Sequence, residues 1–433
     1  MGTYTKTGGG ADQLVADALD VVVAEIVRAV PGLRSVLLAG GFGRGEGSVE
    51  LRDGGPRLIN DFDIYIITRR YVPDDYLEEM ATRCSALIGK GGQAYEEAFE
   101  ERYTFERFFH VDIRCLVESR LRLLPPSIRY FELRHAAVLW GDDLRSRLPQ
   151  IAPADLPRPE GLRLLMNRMT LLIMAFHRRF IVDPDSMSED ERGILAYYVA
   201  KGYLAIAEAL LLFADDYRPT YTERAAAFGD VFVARYPELA RRLPDLPQRA
   251  TYYTDYKFAP HPADVDVLAE WEHCRVAVGE VYRHCLASFI GRPLPDSWAQ
   301  TAEVAFKVLP DRYFAPYAAN VLRRYHLPRL LTWPLARAAE AFLSYKYATA
   351  LRRHLGRFFW PALSLRDPGV KMLALAPLVL FAVGLDGSED RALLDYVHAR
   401  LRRLYPVRGS ADWDNVKSMW LRTFRVYYLQ HFV

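Results

Sequence analysis

Ser35 to Thr68 reads SVLLAGGFGRGEGSVELRDGGPRLINDFDIYIIT, and the rest of the chain is read outward from it. Val36 to Ala39 form a short apolar run that stops at two glycines, the pattern of a buried strand ending in a tight turn. Ile64 to Ile67 form a second such run. Between them, Gly40, Gly41, Gly43, Gly45 and Gly47 leave the backbone able to adopt positive φ and to lie close to a ligand, as a phosphate requires. Asp61 and Asp63 stand two apart at the mouth of the second strand, so their side chains point to one face. Two like charges so placed repel and raise one pKa unless a cation neutralises them, which makes the pair a candidate site for a divalent metal.

A third carboxylate follows in Phe108 to Glu118, FFHVDIRCLVE, where Asp112 stands in the middle of an apolar strand. A charged residue there is seldom buried without a partner, and Asp112 is read as the third metal ligand. The plainer alternative, a flexible glycine loop beside a capped strand, leaves Asp112 unexplained. The order of hydrophobic strand, Gly-Gly turn, Asp-x-Asp pair and later Asp resembles the polymerase-β-like nucleotidyltransferase superfamily. The local form GGFGRGE is most similar to the variant in uridylyl- and adenylyltransferases that modify nitrogen-regulatory proteins. The resemblance covers roughly the first third of the chain.

The resemblance implies an α+β fold, a small mixed-sheet nucleotidyltransferase domain followed by a mostly α-helical domain. It implies that Gly40 and Gly41 hold the β- and γ-phosphates of a nucleoside triphosphate, ATP being favoured. It further implies that Asp61 and Asp63 bind two Mg²⁺ ions, with Asp112 sharing one ion and helping to deprotonate the attacking hydroxyl. The spacing from Gly41 to Asp61 is longer than is usual in the superfamily. Val49 to Leu58, with Asp53-Gly54-Gly55-Pro56 at its centre, reads as a hairpin inserted between the strands, which leaves the metal site intact. An inactive copy of the fold is the alternative that all three carboxylates argue against.

With 433 residues, the chain exceeds one core, and a prior of about 150 residues per domain gives two or three. Hydrophobic residues make up 51% and aromatics 13%, enough for large cores, while a net charge of +2 gives no overall preference for polyanions. Cys84, Cys115, Cys274 and Cys285 lack close pairing and suit reduced thiols, hence a cytoplasmic protein. His273-Cys274 and His284-Cys285 stand about 16 Å apart along a helix, too far to share one ion. MGTYTKTGGGADQ reads as a frayed tail rather than a signal segment. Met372 to Leu385 is too short for a membrane span and reads as a buried core helix.

In order, Ala11 to Val30 and Pro73 to Ile88 are expected helices. Tyr103 to Phe109 is an expected strand leading into that of Asp112, and Phe131 to Trp140 another. Four prolines between Leu148 and Gly161 place the domain boundary, giving a catalytic domain over 1–147 and a helical domain over 148–433, with a split near 291–296 as the alternative to one helical unit. Helices are expected at Leu162–Ile181, Glu189–Ala214, Tyr221–Tyr236, Pro262–Gly291, Trp298–Val308, Arg337–Leu355 and Arg391–Leu404.

The resemblance implies that the helical part closes the other wall of the active cleft. Lys201 and Asn167-Arg168 interrupt apolar helix faces there and are candidates to reach the triphosphate, against snorkelling or local ion pairs. Gly43 and Arg44 lie in the glycine loop itself; Arg44 either contacts the nucleotide or pairs with Glu46 or one of the aspartates.

Val321 to Trp360 holds Arg323, Arg324, Arg329, Arg337, Lys346, Arg352, Arg353 and Arg357 against one acid, Glu340, with aromatics interleaved. The favoured reading is a solvated basic face whose aromatics fill the core. The rival is a surface for RNA, whose bases stack on aromatics. The function expected is Mg²⁺-dependent transfer of a nucleoside monophosphate from NTP to a hydroxyl of a small molecule or protein, with pyrophosphate released. An RNA acceptor and a non-catalytic nucleotide-binding scaffold are the alternatives. No membrane span is expected.

Overall fold

Alternation along two neighbouring strands layers the N-terminal part. In β4 (Asp61–Thr68), Phe62, Ile64 and Ile66 face one way with Val111 and Ile113 of β5 (His110–Val117), against helices α1 (Gly9–Ala29) and α2 (Asp74–Leu87). Tyr65, Ile67 and Leu116 enter a separate core on the other face. A period of two therefore puts Asp61, Asp63 and Asp112 on the face away from α1 and α2. The computed structural model describes residues 2–52, 55–90, 109–261, 265–355, 366–406 and 409–427.

The sheet has the order β5-β4-β1-β6, with β1 at Leu33–Leu38 and β6 at Ala137–Gly141. β4 and β5 run parallel, whereas β1 is antiparallel to both β4 and β6. The hairpin expected within Val49–Leu58 is present as β2 (Val49–Arg52) paired with β3 (Gly55–Leu58), outside the main sheet. Of the segment Phe131 to Trp140, only the second half is a strand. Ser127 caps α3 (Ile128–Leu133) by accepting from the Tyr130 N–H at 3.3 Å, so the first half turns helical. The strand expected at Tyr103 to Phe109 lies almost wholly outside the described residues.

The N-terminal residues are not a frayed tail. The Asp12 carboxylate accepts from Thr5 N at 2.9 Å and Thr5 Oγ1 at 2.7 Å, and also from Thr3 N. Thr5, fully buried, bridges to Gly47, whose N–H donates to Tyr4 O at 2.9 Å. One carboxylate thus gathers the segment and ties it to the glycine loop, an arrangement that hydropathy does not reveal.

The remainder is helical, and the fold is α+β. α4 (Arg158–Ala175) and α5 (Glu189–Phe213) pack together at its centre, surrounded by α6 (Tyr221–Arg235), α7 (Leu246–Phe258) and α8 (Val267–Ile290). α5 and α6 begin at capping boxes, Ser188 with Glu191 and Thr220 with Glu223, each cap contributing about 1 kcal/mol. α5 is long and apolar enough to cross a bilayer, but it is the wrapped central helix of this core. Beyond it come α9 (Trp298–Tyr313), α10 (Ala315–Arg324), α11 (Thr332–Leu355), α12 (Arg391–Leu404) and α13 (Trp413–Tyr427).

Helices α7, α10 and α13 are additions to the sequence expectation. Met372–Leu385 is broken by Pro377 into two short buried helices, Pro368–Leu373 and Ala376–Phe381. The four cysteines are free thiols, with Cys84, Cys274 and Cys285 buried. The basic stretch departs from its favoured reading: Trp333, Phe342 and Tyr345 are 51%, 62% and 65% exposed, and among its described aromatics only Tyr347 enters the core. The outward stripe of α11 thus bears aromatics, while its acid, Glu340, is buried beneath. Phe358, Phe359 and Trp360 lie outside the described residues.

Candidate functional site

A cleft of about 620 Å³ lies between the open face of the sheet and helices α4, α5, α6 and α7. Its size falls in the range of about 300–1,000 Å³ usual for small-molecule sites. All the nominated residues except Gly43 line it: Gly40, Gly41 and Arg44 from the glycine loop, Asp61, Asp63 and Asp112 from the strands, and Lys201 from α5. Asn167 and Arg168 of α4 line it as well.

Parallel pairing sets the carboxylates in register, Asp63 opposite Asp112 and Asp61 opposite His110. The loop is shaped around them. Gly40 has φ 62°, and a Cβ there would overlap Asp63 Oδ2, so glycine is required both by backbone angle and by the carboxylate beside it. A Cβ at Gly43 would overlap the Leu38 carbonyl, which makes that glycine a packing element behind the loop. Ala39 N donates to Asp63 O at 2.8 Å and closes the turn onto β4.

Burial pushes Asp63 up to about 7, and the charges of Asp61 and Asp112 add to this, with Arg114 and Arg129 opposing. The shift comes first from burial, and the like charges of Asp61 and Asp112 act in the same direction. Arg114, two residues beyond Asp112 and on its face, bonds to Asp112 Oδ2 through Nη2 at 2.6 Å and Nε at 3.0 Å. Among the described residues no three His, Cys, Asp or Glu side chains converge as a metal site. The donors are nevertheless hard carboxylate oxygens on one face of adjacent strands, the ligand type that suits a hard divalent cation.

Opposite the carboxylates stand cations. Lys201 Nζ bonds to Asn60 Oδ1, and Asn60 Nδ2 in turn reaches Asp61 Oδ1, with Asn60 at φ 85°. Burial and then the neighbouring Arg168 lower Lys201 to about 8, against the pull of Asp61 and Asp63. Lys257 of α7 donates to Glu46 O and Ser48 Oγ, both at 3.1 Å, and lies 4.4 Å from the Tyr221 ring centroid. Burial brings its pKa down to about 7.

Arg44 takes neither protein partner considered from sequence. It pairs with Glu132 of α3 at 2.9 Å, and Glu132 also receives Arg224 Nη1 at 2.8 Å and Tyr217 OH at 2.7 Å. Burial works against the Glu132 carboxylate, but Arg44 and Arg224 outweigh it and hold its pKa below the usual value. Arg44 is buried, and its Nε and Nη2 find no hydrogen-bond acceptor among the described residues. Glu46 instead caps α6, accepting from Tyr221 N at 2.7 Å, Thr222 N at 3.0 Å and Thr222 Oγ1 at 2.6 Å. The glycine loop is thereby anchored at both flanks, by the N-terminal residues and by a helix of the C-terminal part.

Sequence reading missed Asn60, Arg114, Glu132 and Lys257. Asn60 and Arg114 carried a local signal, one flanking the Asp pair and the other on the face of Asp112. Glu132 and Lys257 carried none, because helices brought together only by folding place them here.

No family model matches the chain, and no curated protein matches it. Among solved structures, the chain is similar to spectinomycin adenyltransferase AAD(9) from Enterococcus faecialis, determined with ATP and spectinomycin. Identity is 10% and the TM-score 0.33, over 63% of this chain and 98% of that chain. A likeness of this size leaves function to be argued from the site itself.

Proposed function

We propose that the protein is a nucleotidyltransferase that moves a nucleoside monophosphate from an NTP, with ATP favoured, to a hydroxyl of a small molecule or protein. One observation carries this reading: three carboxylates share a face of β4 and β5, against a glycine turn that has no room for a side chain beside Asp63.

In this reading the triphosphate lies along the Gly40-Gly41 turn, whose missing Cβ atoms let Asp63 and the Glu46 carbonyl close onto the loop. Lys201 and Arg168 approach it from the helical wall, Arg44 adds positive charge behind the loop, and Lys257 holds the loop through Glu46 O and Ser48 Oγ. Asp61, Asp63 and Asp112 would hold Mg²⁺, which would supply neutralisation of the phosphates and a lowered pKa at the attacking hydroxyl. Arg114 orients Asp112, which receives the acceptor's proton. The acceptor oxygen bonds to the α-phosphorus while the bond to the bridging oxygen breaks and pyrophosphate leaves. Positioning and charge carry the rate, since the protein forms no bond to the substrate.

The test is incubation with each α-labelled NTP and Mg²⁺, with and without metabolite extract and total tRNA. Label in the small-molecule or protein fraction is expected, together with pyrophosphate. Asp61→Ala and Asp63→Ala should each fall below a tenth of wild-type turnover, and residual activity above that level counts against the reading. Binding of NTP with no transfer to any acceptor points to the scaffold alternative. The exposed Trp333, Phe342 and Tyr345 among cations favour the RNA-acceptor alternative, which predicts label on tRNA and retention that falls steeply with salt.

A further inference from the structure

Exposed apolar side chains are not spread evenly over this molecule. Of eighteen large ones exposed among the described residues, seven fall between Tyr325 and Tyr345, in the turn from α10 to α11 and along α11 itself. Single exposed hydrophobics are ordinary, whereas a concentration of this kind marks an interaction surface.

The turn is fixed by its backbone. α10 closes on a left-handed residue, His326 at φ 54°, with Leu327 N donating to Leu322 O at 2.8 Å. Leu331 N then bonds to Pro328 O at 3.1 Å, and Thr332 Oγ1 to Arg329 O at 2.7 Å. Leu327, Leu330 and Leu331 stand outward from this turn, Leu330 at 77% exposure. α11 carries the surface on. Pro334, Ala338, Phe342 and Tyr345 follow at steps of four, four and three, so they form one stripe, and all four are exposed. Ala336, Glu340, Tyr347 and Leu351, on the opposite side of the helix, are buried. A solvated helix face carries charge where this one carries rings.

The charge around the stripe is of one sign. Arg329, Lys346 and Arg352 are exposed and have no ion-pair partner among the described residues. The one acid between 321 and 355, Glu340, is buried against Arg337, while Asp155 and Asp311 at the margin hold Arg323 and Arg337. Two copies of such a face repel each other. Nucleic acid would find rings to stack on, but the most exposed large apolar side chain of the face is a leucine, which offers no flat face to a base. Aliphatic tips beside Trp and Tyr rings and unpaired cations match a bilayer with anionic headgroups. The leucines enter the acyl boundary, Trp333 and Tyr345 lie at headgroup level, and the cations meet the lipid phosphates.

We propose that the face made by the 325–331 turn and the outward stripe of α11 docks on an anionic lipid surface, reversibly and without spanning it. The docking needs no nucleotide and no chemistry in the cleft.

The test is co-sedimentation of the full chain with vesicles of phosphatidylcholine alone and of phosphatidylcholine with roughly one-third phosphatidylglycerol. Binding to the anionic vesicles is expected to be about tenfold tighter or more, and to weaken with salt. Leu330→Ser/Phe342→Ser should weaken that binding by about tenfold or more, and Arg329→Gln/Lys346→Gln should remove most of the preference for anionic lipid. These positions are exposed, so both variants should melt with wild type. The proposal is overturned by absence of binding to anionic vesicles, by equal binding to neutral ones, or by unchanged binding in Leu330→Ser/Phe342→Ser. Total tRNA bound more tightly than vesicles and lost in Arg329→Gln/Lys346→Gln would assign the face to RNA. Dimerisation abolished by Leu330→Ser/Phe342→Ser would assign it to a second copy, and either result overturns the lipid assignment. None of these readouts needs nucleotidyl transfer, so docking can fail while label transfer succeeds, and the reverse.

Discussion

Asp63 bears the electrostatic cost of the site. Its pKa is pushed up to about 7 from 3.8, so the folded chain binds this proton more tightly than the unfolded chain does. The sign follows: Asp63 imposes no such penalty below about pH 4, and without a metal it destabilises the fold progressively as pH rises through 7. Asp63→Asn should therefore melt higher than wild type in EDTA at pH 8, by roughly 1–3 kcal/mol, with the gap closing at pH 4. Thermal melts at the two pH values check this; a gap independent of pH would point to packing. The same variant should be inactive, so stability and function oppose each other at one residue. Asp61 and Asp63 were legible from sequence because a period of two shows which strand residues share a face. Arg44 was legible only as a loop cation; its partner Glu132 is 88 residues away and no spacing connects the two.

At the level of elements, Glu46 joins the glycine loop to the start of α6. Burial opposes its charge, but bonds from Thr222 and Tyr221, with Lys257 nearby, hold its pKa below 4.5. Stability from such a group is present above the unfolded pKa and is lost as pH falls through the folded value. Glu46→Gln should cost about 1–3 kcal/mol at pH 7 and progressively less below pH 4, read from denaturant melts. Because the loop also shifts, KM for NTP should rise in the same variant; an unchanged KM would make Glu46 a helix cap alone. The strands and longest helices were legible in the sequence, including α12 at its observed bounds, because apolar periodicity and proline or capping residues act locally. Helix α7 was not, since its hydrophobic pattern is diluted by polar residues and Lys257 is buried against a loop some two hundred positions earlier.

Across the whole molecule, the apolar cluster containing Ile151 at one end and Tyr427 at the other runs through Ile290 and Ala302 without a break. We propose on that basis that 148–433 is one helical unit beside the catalytic unit 1–147. Ile59 and Phe131 of the catalytic unit join the helical core. The cleft exists only where the two units meet, so its ligand should stabilise their union. Mg²⁺-ATP at a hundredfold excess over Kd should add about 2.7 kcal/mol of stability, seen as a rise in Tm, and EDTA should remove most of it. An equal rise with EDTA would count against a metal-assisted nucleotide site.

The sequence by itself determined the strand-turn-strand motif, the shared face of Asp61, Asp63 and Asp112, and a helical C-terminal part. Each follows from side-chain period and backbone preference over a few residues. Only the tertiary structure decided which cations face those carboxylates, that Glu46 and the N-terminal residues hold the loop, and that the aromatic stripe of α11 faces outward. Those facts depend on packing between segments far apart in the chain, where the energy comes from burial and pairing and not from any local pattern.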